Sequence, residues 1–232
     1  MLIITGTGRS GTATMAEIFG GRHEFRVDYI LDKYFSKADP HSDLFSTIEE
    51  RVKAVLDLHQ GIDSMTFVDS SNLYIHFIDA VYLLNPSARF VLAVRNGKDF
   101  VRSALSRGWH EKRLFGIVPP YNNPCYNKWE TMGPLQRNAW IWTCRNRKAV
   151  EGLSILPEDR KLIVRIEDIK ARETIEMLED FSGIKIKGGD NKVQVCNANP
   201  SFCFPPKEEW TDEQNSEFDA IAGEMMKFFN YA

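Results

Sequence analysis

The sequence predicts a three-layer α/β/α domain around a central parallel sheet, and three features carry that expectation. Four short runs, LIIT (2–5), TFVDS (66–70), RFVLAVR (89–95) and KLIVRIED (161–168), are rich in β-formers and apolar in long stretches rather than alternating. Such runs suit strands buried on both faces of a parallel sheet. Segments of helical period lie between them, and strands alternating with helices imply right-handed crossovers, with the ligand site at the carboxyl ends of the strands. At 232 residues the chain has the length of one such domain, able to bury a full core without disulfides or metals. A single domain is expected over 1–232.

Taken in order, LIIT is the first strand and runs into the glycine-rich stretch GTGRSGTAT (6–14). TIEERVKAVLDLH (47–59) places Ile48, Val52, Val55 and Leu56 at i, i+4, i+7 and i+8, a helix with one core-facing stripe. RFVLAVRNGKDFVRSALSRGW (89–109) reads as a strand ending at Arg95, a turn at Asn96-Gly97, and a helix carrying Ser103 and Ser106. Residues 108–134 break the rhythm with four prolines, three glycines and six aromatic rings, His110 included. A loop of that length is usually functional, and a substrate lid is expected there. Trp140 and Trp142 sit on an apolar helix, where core packing is the expectation. IKGGDN (186–191) is a Gly-rich turn, and the last helix presents Phe218, Ile221, Ala222, Met225 and Phe229 on one face.

Composition narrows the function. With 43% hydrophobic and 26% charged residues and a formal charge of −3, the chain reads as a soluble globular protein and not as a basic nucleic-acid binder. Cys125, Cys144, Cys196 and Cys203 form no C-x-x-C pair and have no histidines at zinc-finger spacing, so no metal site is expected. No apolar run approaches the ~18 residues of a membrane span, and the first strand leaves no room for a leader, so a cytoplasmic protein is expected.

Gly6, Gly8 and Gly11 satisfy G-x-G-x-x-G after a strand. A strand that ends in glycines and turns into a helix aims backbone N–H groups and the positive end of the helix dipole at an anion. Three readings compete. A dinucleotide site needs a second strand and an acidic residue ~20 positions on; Glu24, Asp28 and Asp32 are near, but RHEFRVDY (22–29) has charges at five of eight positions, counting His23. An NTPase P-loop needs G-K-[ST], which Gly11-Thr12-Ala13 replaces, so the phosphate-bridging lysine is missing. The third reading starts from Arg9, whose planar fork inside the loop suits an oxyanion, and from Arg95 with Ser103 eight residues later, a strand-end arginine and a helix hydroxyl suited to a second anionic group.

In this third form the sequence resembles the sulfotransferases that use 3′-phosphoadenosine 5′-phosphosulfate. Their 5′-phosphosulfate loop is [RK]-S-G-T-[TS], which Arg9-Ser10-Gly11-Thr12-Ala13 matches except at Ala13, and their 3′-phosphate motif is matched by Arg95 and Ser103. Arginine at position 9 and VRNGKDFVRSALSR (94–107) look more like tyrosylprotein, bacterial or carbohydrate sulfotransferases than cytosolic small-molecule ones. Weaker echoes, including KLIVRIEDI (161–169), extend the resemblance over nearly the whole chain. It implies a P-loop NTPase-like fold and metal-free transfer of a sulfonate to a hydroxyl acceptor (carbohydrate, peptide tyrosine or small molecule), through a ternary complex, with adenosine 3′,5′-bisphosphate as product.

The roles implied are specific. The backbone N–H groups of Gly8, Arg9, Ser10, Gly11, Thr12 and Ala13 hold the 5′-phosphate, and Arg9 meets the bridging oxygen and the charge on the leaving nucleotide. Arg95 and Ser103 take the 3′-phosphate, while Lys98 and Arg107 are solvated residues or added attractive charge. Two carboxylates, Asp69 and Glu24, are offered as the base for the acceptor hydroxyl, and Asp69 equally as a helix cap. Where many relatives place a tryptophan against adenine, this chain has Thr14-Met15. A P-loop-like phosphoryl-transfer enzyme, a non-catalytic nucleotide-binding protein of the same fold and an NAD(P) oxidoreductase are the alternatives.

Overall fold

The apolar runs become a parallel sheet. A computed structural model describes residues 1–23, 34, 38–58, 68–186 and 204–231. Among these, the strands are β1 (Leu2–Gly6), β2 (Arg22–His23), β3 (Val68–Ser70), β4 (Arg89–Val94) and β5 (Lys161–Arg165). The helices are α1 (Thr12–Ile18), α2 (Ile48–Leu58), α3 (Ile78–Leu84), α4 (Gly97–Leu105), α5 (Pro134–Ser154), α6 (Arg172–Ser182) and α7 (Asp212–Phe228). The sheet order is β2-β3-β1-β4-β5, every pair parallel. Leu2 stands opposite both Val68 and Arg89, and Gly6 opposite Ala93.

Period-two alternation sends each central strand to two covered faces. Leu2 and Ile4 of β1, Val91 and Ala93 of β4 and Val164 of β5 pack with Met15 and Ile18 of α1 and Leu178 of α6. The intervening Ile3, Thr5, Phe90, Leu92 and Val94 are equally buried. On that second face the Thr5 hydroxyl donates to the Ser71 carbonyl at 2.9 Å, ahead of the 3₁₀ turn Asn72–His76. α2 packs on α3, and Gly152 of α5 lies against Ile78. The result is a three-layer α/β/α arrangement with a parallel sheet, as expected.

The helix ends show why these segments stop and start where they do. α2 opens on a reciprocal pair, with Thr47 Oγ1 accepting from the Glu50 amide and Glu50 Oε2 from the Thr47 amide. Asn96 caps α4 by accepting from the Lys98 amide at 3.0 Å. Thr211 and Gln214 form the same reciprocal box at α7.

Two sequence expectations shift. Leu56, expected in the core stripe of α2, is 53% exposed, whereas its neighbour Val55 is buried. β5 ends at Arg165, and Ile166–Asp168 form a 3₁₀ turn. β5 is also an edge strand, and its Ile163 is 38% exposed.

The chain divides into two compact units. The first comprises residues 1–31, 45–95 and 148–197, and the second 32–44, 96–147 and 198–232. The first holds the sheet. The core of the second is aromatic: a Cβ on Gly97 would meet Phe218, Met226 and Trp142, and Trp142 also neighbours Phe229. Trp140 and Trp142 are both buried, as their helical setting predicts.

Residues 108–134 belong to the second unit and are tied down at several points. Arg145 of α5, buried and lowered by that burial to about 10, so still charged at neutral pH, donates to the Gly116 carbonyl. His41 Nδ1 donates to the Pro119 carbonyl at 2.7 Å, and the Tyr121 hydroxyl to Asp39.

Candidate functional site

The glycine-rich loop joins β1 to α1 in the first unit. A Cβ on Gly6 would collide with Ser10 Oγ and the Ala93 carbonyl, so glycine there lets the chain fold back onto the strand end. Gly8, Arg9 and Gly11 then take left-handed conformations, at φ 78°, 54° and 84°. Arg9 does so as a non-glycine, a strain of roughly 1–2 kcal/mol. Gly11 is constrained twice, because a Cβ there would also strike the side chain of Ile166. Its carbonyl accepts the first helical bond, from the Met15 amide at 2.9 Å.

Turns of this kind present successive amides around a concave anion site. Ser10 adds a second observation: it is 0% exposed, and its hydroxyl has no hydrogen-bond partner among the described residues. Native proteins rarely leave such a group unmatched. A hydroxyl so placed can donate to the acceptor oxygens of an anion.

Arg95 follows β4, the strand next to β1, and its Nη1 donates to the Arg9 carbonyl at 3.2 Å. β1 leads on to β2 and β3 on one side, and β4 to β5 on the other. The two connections diverge there, and open α/β sheets bind ligands where connections diverge. Arg9 and Arg95 are thus brought together. Thr12 is buried in the first turn of α1, and Ala13 follows it half-buried.

The other predicted residues fall elsewhere. Ser103 lies half-buried on α4 in the second unit, its carbonyl accepting from the Ser106 hydroxyl. Asp69 is 0% exposed in β3, with Oδ1 accepting from the Ser70 amide at 2.8 Å and Oδ2 from the Tyr74 hydroxyl at 2.6 Å. The helical turn after it is capped by Ser71, not by Asp69. Glu24, His59, Cys196 and Cys203 lie outside the described residues. Lys98 departs from the expectation of a solvated charge: its Nζ donates to Asn215 at 2.6 Å and sits 5.6 Å from the Phe218 ring centroid, tying α4 to α7.

Sequence reading missed Ile166. It lay at the end of a run read as strand, and nothing local shows that its side chain roofs Gly11, 155 positions earlier. Among the described residues no group of three His, Cys, Asp or Glu side chains is placed to hold a metal, and no helix is long and apolar enough to cross a membrane.

No protein-family model matches the chain, and no curated protein does. Solved structures do. A sulfotransferase domain from the curacin biosynthetic pathway is 15% identical, with a TM-score of 0.54 over 81% of this chain and 75% of that one. A sulfotransferase from Alicyclobacillus acidocaldarius is 14% identical, with a TM-score of 0.53 over 97% and 92% of the two chains. The sulfotransferase domain of the Synechococcus PCC 7002 olefin synthase is 14% identical, with a TM-score of 0.55 over 100% and 94%. At these identities the likeness is one of fold.

Proposed function

We propose that this protein is a sulfotransferase that moves a sulfonate from 3′-phosphoadenosine 5′-phosphosulfate to a hydroxyl acceptor. The observation that carries the reading is the β1–α1 loop: three left-handed residues, a buried serine hydroxyl with no partner among the described residues, and Arg95 bonded to the Arg9 carbonyl at the divergence of the sheet. The lysine that an ATP-type loop carries after its last glycine is absent, with Thr12 in its place, and the cation within this loop is Arg9.

The co-substrate supplies the sulfonate on a phosphate leaving group. Sulfur–oxygen bond cleavage releases adenosine 3′,5′-bisphosphate while a new bond forms to the acceptor oxygen, whose proton leaves to a base or water. The chain's part is positioning and charge stabilisation, as in phosphoryl transfer. The amides of Gly8 to Ala13 hold the 5′-phosphate, and Arg9 meets the charge that develops on the leaving oxygen. Arg95 steadies the loop through the Arg9 carbonyl and is offered as a 3′-phosphate ligand. Ser103 joins Arg95 as a 3′-phosphate ligand on the strength of their sequence spacing. Asp69, with both oxygens engaged inside the sheet, is better placed to hold Tyr74 than to take a proton.

Calorimetric titration with adenosine 3′,5′-bisphosphate, ATP and NADPH tests the reading. Binding of the bisphosphate in preference to the other two is expected; its failure to bind overturns the proposal. Tight binding without turnover on any hydroxyl acceptor would leave a nucleotide-binding protein of this fold.

A further inference from the structure

Within the second unit, the charged residues of α4 are engaged by the last segment of the chain. Lys98 Nζ donates to Asn215 Oδ1 at 2.6 Å and stands 5.9 Å and 5.6 Å from the Trp210 and Phe218 ring centroids. Asp99 Oδ2 accepts from Lys207 Nζ at 2.5 Å, and Arg102 Nε donates to the Phe204 carbonyl at 2.9 Å. The Gly97 amide meets Met226 Sδ at 3.3 Å. Residues 204–226 therefore grip the first two turns of α4 at four places.

This strap is itself anchored. Trp210 is 6% exposed, with its ring centroid 5.8 Å from that of Phe204 and 5.7 Å from that of Phe218, and its Nε1 donates to the Pro205 carbonyl at 3.3 Å. Lys207 opens the 3₁₀ turn Lys207–Glu209 between these rings, so its ammonium is held out from a fixed piece of chain. On the helix, Asp99 and Ser103 are i and i+4 and share one face. The ion pair thus grips α4 one turn before the serine. A helix of nine residues owes its order to such tertiary contacts more than to propensity. The pair is partly shielded, with side chains 34% and 25% exposed, which limits its screening by solvent.

We propose that Lys207 is a positioning residue: its ion pair with Asp99 fixes the first turns of α4 and so sets where the Ser103 hydroxyl meets the 3′-phosphate. The role of Ser103 rests on the function proposed above; the hold on α4 does not.

Lys207→Met keeps the apolar stem and removes the charge. In hydrogen exchange of the full-length protein, the amides of α4 should exchange ~3-fold or more faster while those of β1 and β4 stay as they are. In calorimetry, the affinity for adenosine 3′,5′-bisphosphate relative to adenosine 5′-phosphate should fall ~3-fold or more, and Lys207→Arg should restore both readings. A lowered Tm with that ratio unchanged means a merely structural ion pair and overturns the positioning role. In a Ser103→Ala background, Lys207→Met should no longer move the ratio; a full effect there makes Lys207 a direct phosphate ligand and also overturns it. Unchanged exchange at α4 overturns the proposal whatever the nucleotide does. A wild type that binds no bisphosphate overturns the function proposed above, and the serine's part with it, while exchange still reads the hold on α4.

Discussion

Replacing Gly11 with alanine tests the loop geometry most directly, because the structure separates two costs. The left-handed φ of 84° charges any L-residue roughly 1–2 kcal/mol. The new methyl would also overlap Ile166 Cδ1 and Cγ1, and forcing an extra carbon into packed surroundings costs about 1–3 kcal/mol. The sum is ~2–5 kcal/mol, which for a chain of this size lowers Tm by ~4–20 °C. Thermal and urea unfolding of Gly11→Ala, Ile166→Ala and the double variant form a cycle. The truncated Ile166 makes room for the methyl but leaves the φ strain, so the double variant should recover ~1–3 kcal/mol relative to the sum of the singles. Bisphosphate affinity should fall in Gly11→Ala and stay low in the double variant. Strict additivity, or a Gly11→Ala protein within about 0.5 kcal/mol of the wild type, would refute the idea that Ile166 roofs the loop and that the turn is held left-handed.

Arg9→Ala should mainly lower kcat, by ~10²–10³, with little change in bisphosphate affinity, whereas Arg95→Ala and Ser103→Ala should weaken that affinity in calorimetry; the reverse pattern means the roles are exchanged. Asp69→Asn should cost ~1–3 kcal/mol in urea unfolding, through the lost charge-assisted bond from Tyr74, and leave kcat per folded molecule unchanged. A large fall in kcat at full stability would instead make Asp69 the base. Glu179 accepts from Lys185 Nζ at 2.7 Å and from the Ile186 amide at 2.8 Å, and these bonds hold its carboxyl below the ordinary glutamate range. Between that lowered value and ~4.3 the unfolded chain binds more protons, so stability rises with pH; the contribution is complete above the ordinary value and is lost as pH falls through the lowered one. Glu179→Gln should flatten this acid limb in pH-dependent urea unfolding.

What could be read from the sequence was what depends on near neighbours. β1 and β4 lie at the centre of the sheet, where both faces are covered, so burial wrote itself into unbroken apolar runs. β5 lies at the edge, where one side of each constraint is missing, and its apolar run continued past the strand into the turn of Ile166. β2, two residues at the other edge, is too short for any periodicity to register. Leu56 was placed inward by helical spacing alone, but spacing says which residues share a face, not how far a covering layer extends over it. Lys98 reads as a solvated charge until residues more than a hundred positions later supply Asn215 and Phe218 of α7 and the Trp210 ring just before it.

The loop shows why a glycine pattern is a poor guide to the ligand. Gly6 is needed because backbone and Ser10 crowd the end of β1, and Gly11 because it is left-handed beneath Ile166. Both are demands of any tight strand-to-helix turn around an anion, whichever anion it is. They are met equally by a dinucleotide site, a triphosphate site and a phosphosulfate site, so the spacing G-x-G-x-x-G carries little discrimination between them. Discrimination has to come from side chains that the turn does not need for its own geometry. Arg9 is one, since it occupies a strained left-handed position where glycine would be easier. Arg95 is the other, reaching the loop across the sheet from β4. A residue kept where the backbone would prefer a different one points to a demand from outside the turn itself, and a second arginine bonded to its carbonyl is what supports the proposed co-substrate with charge at more than one end.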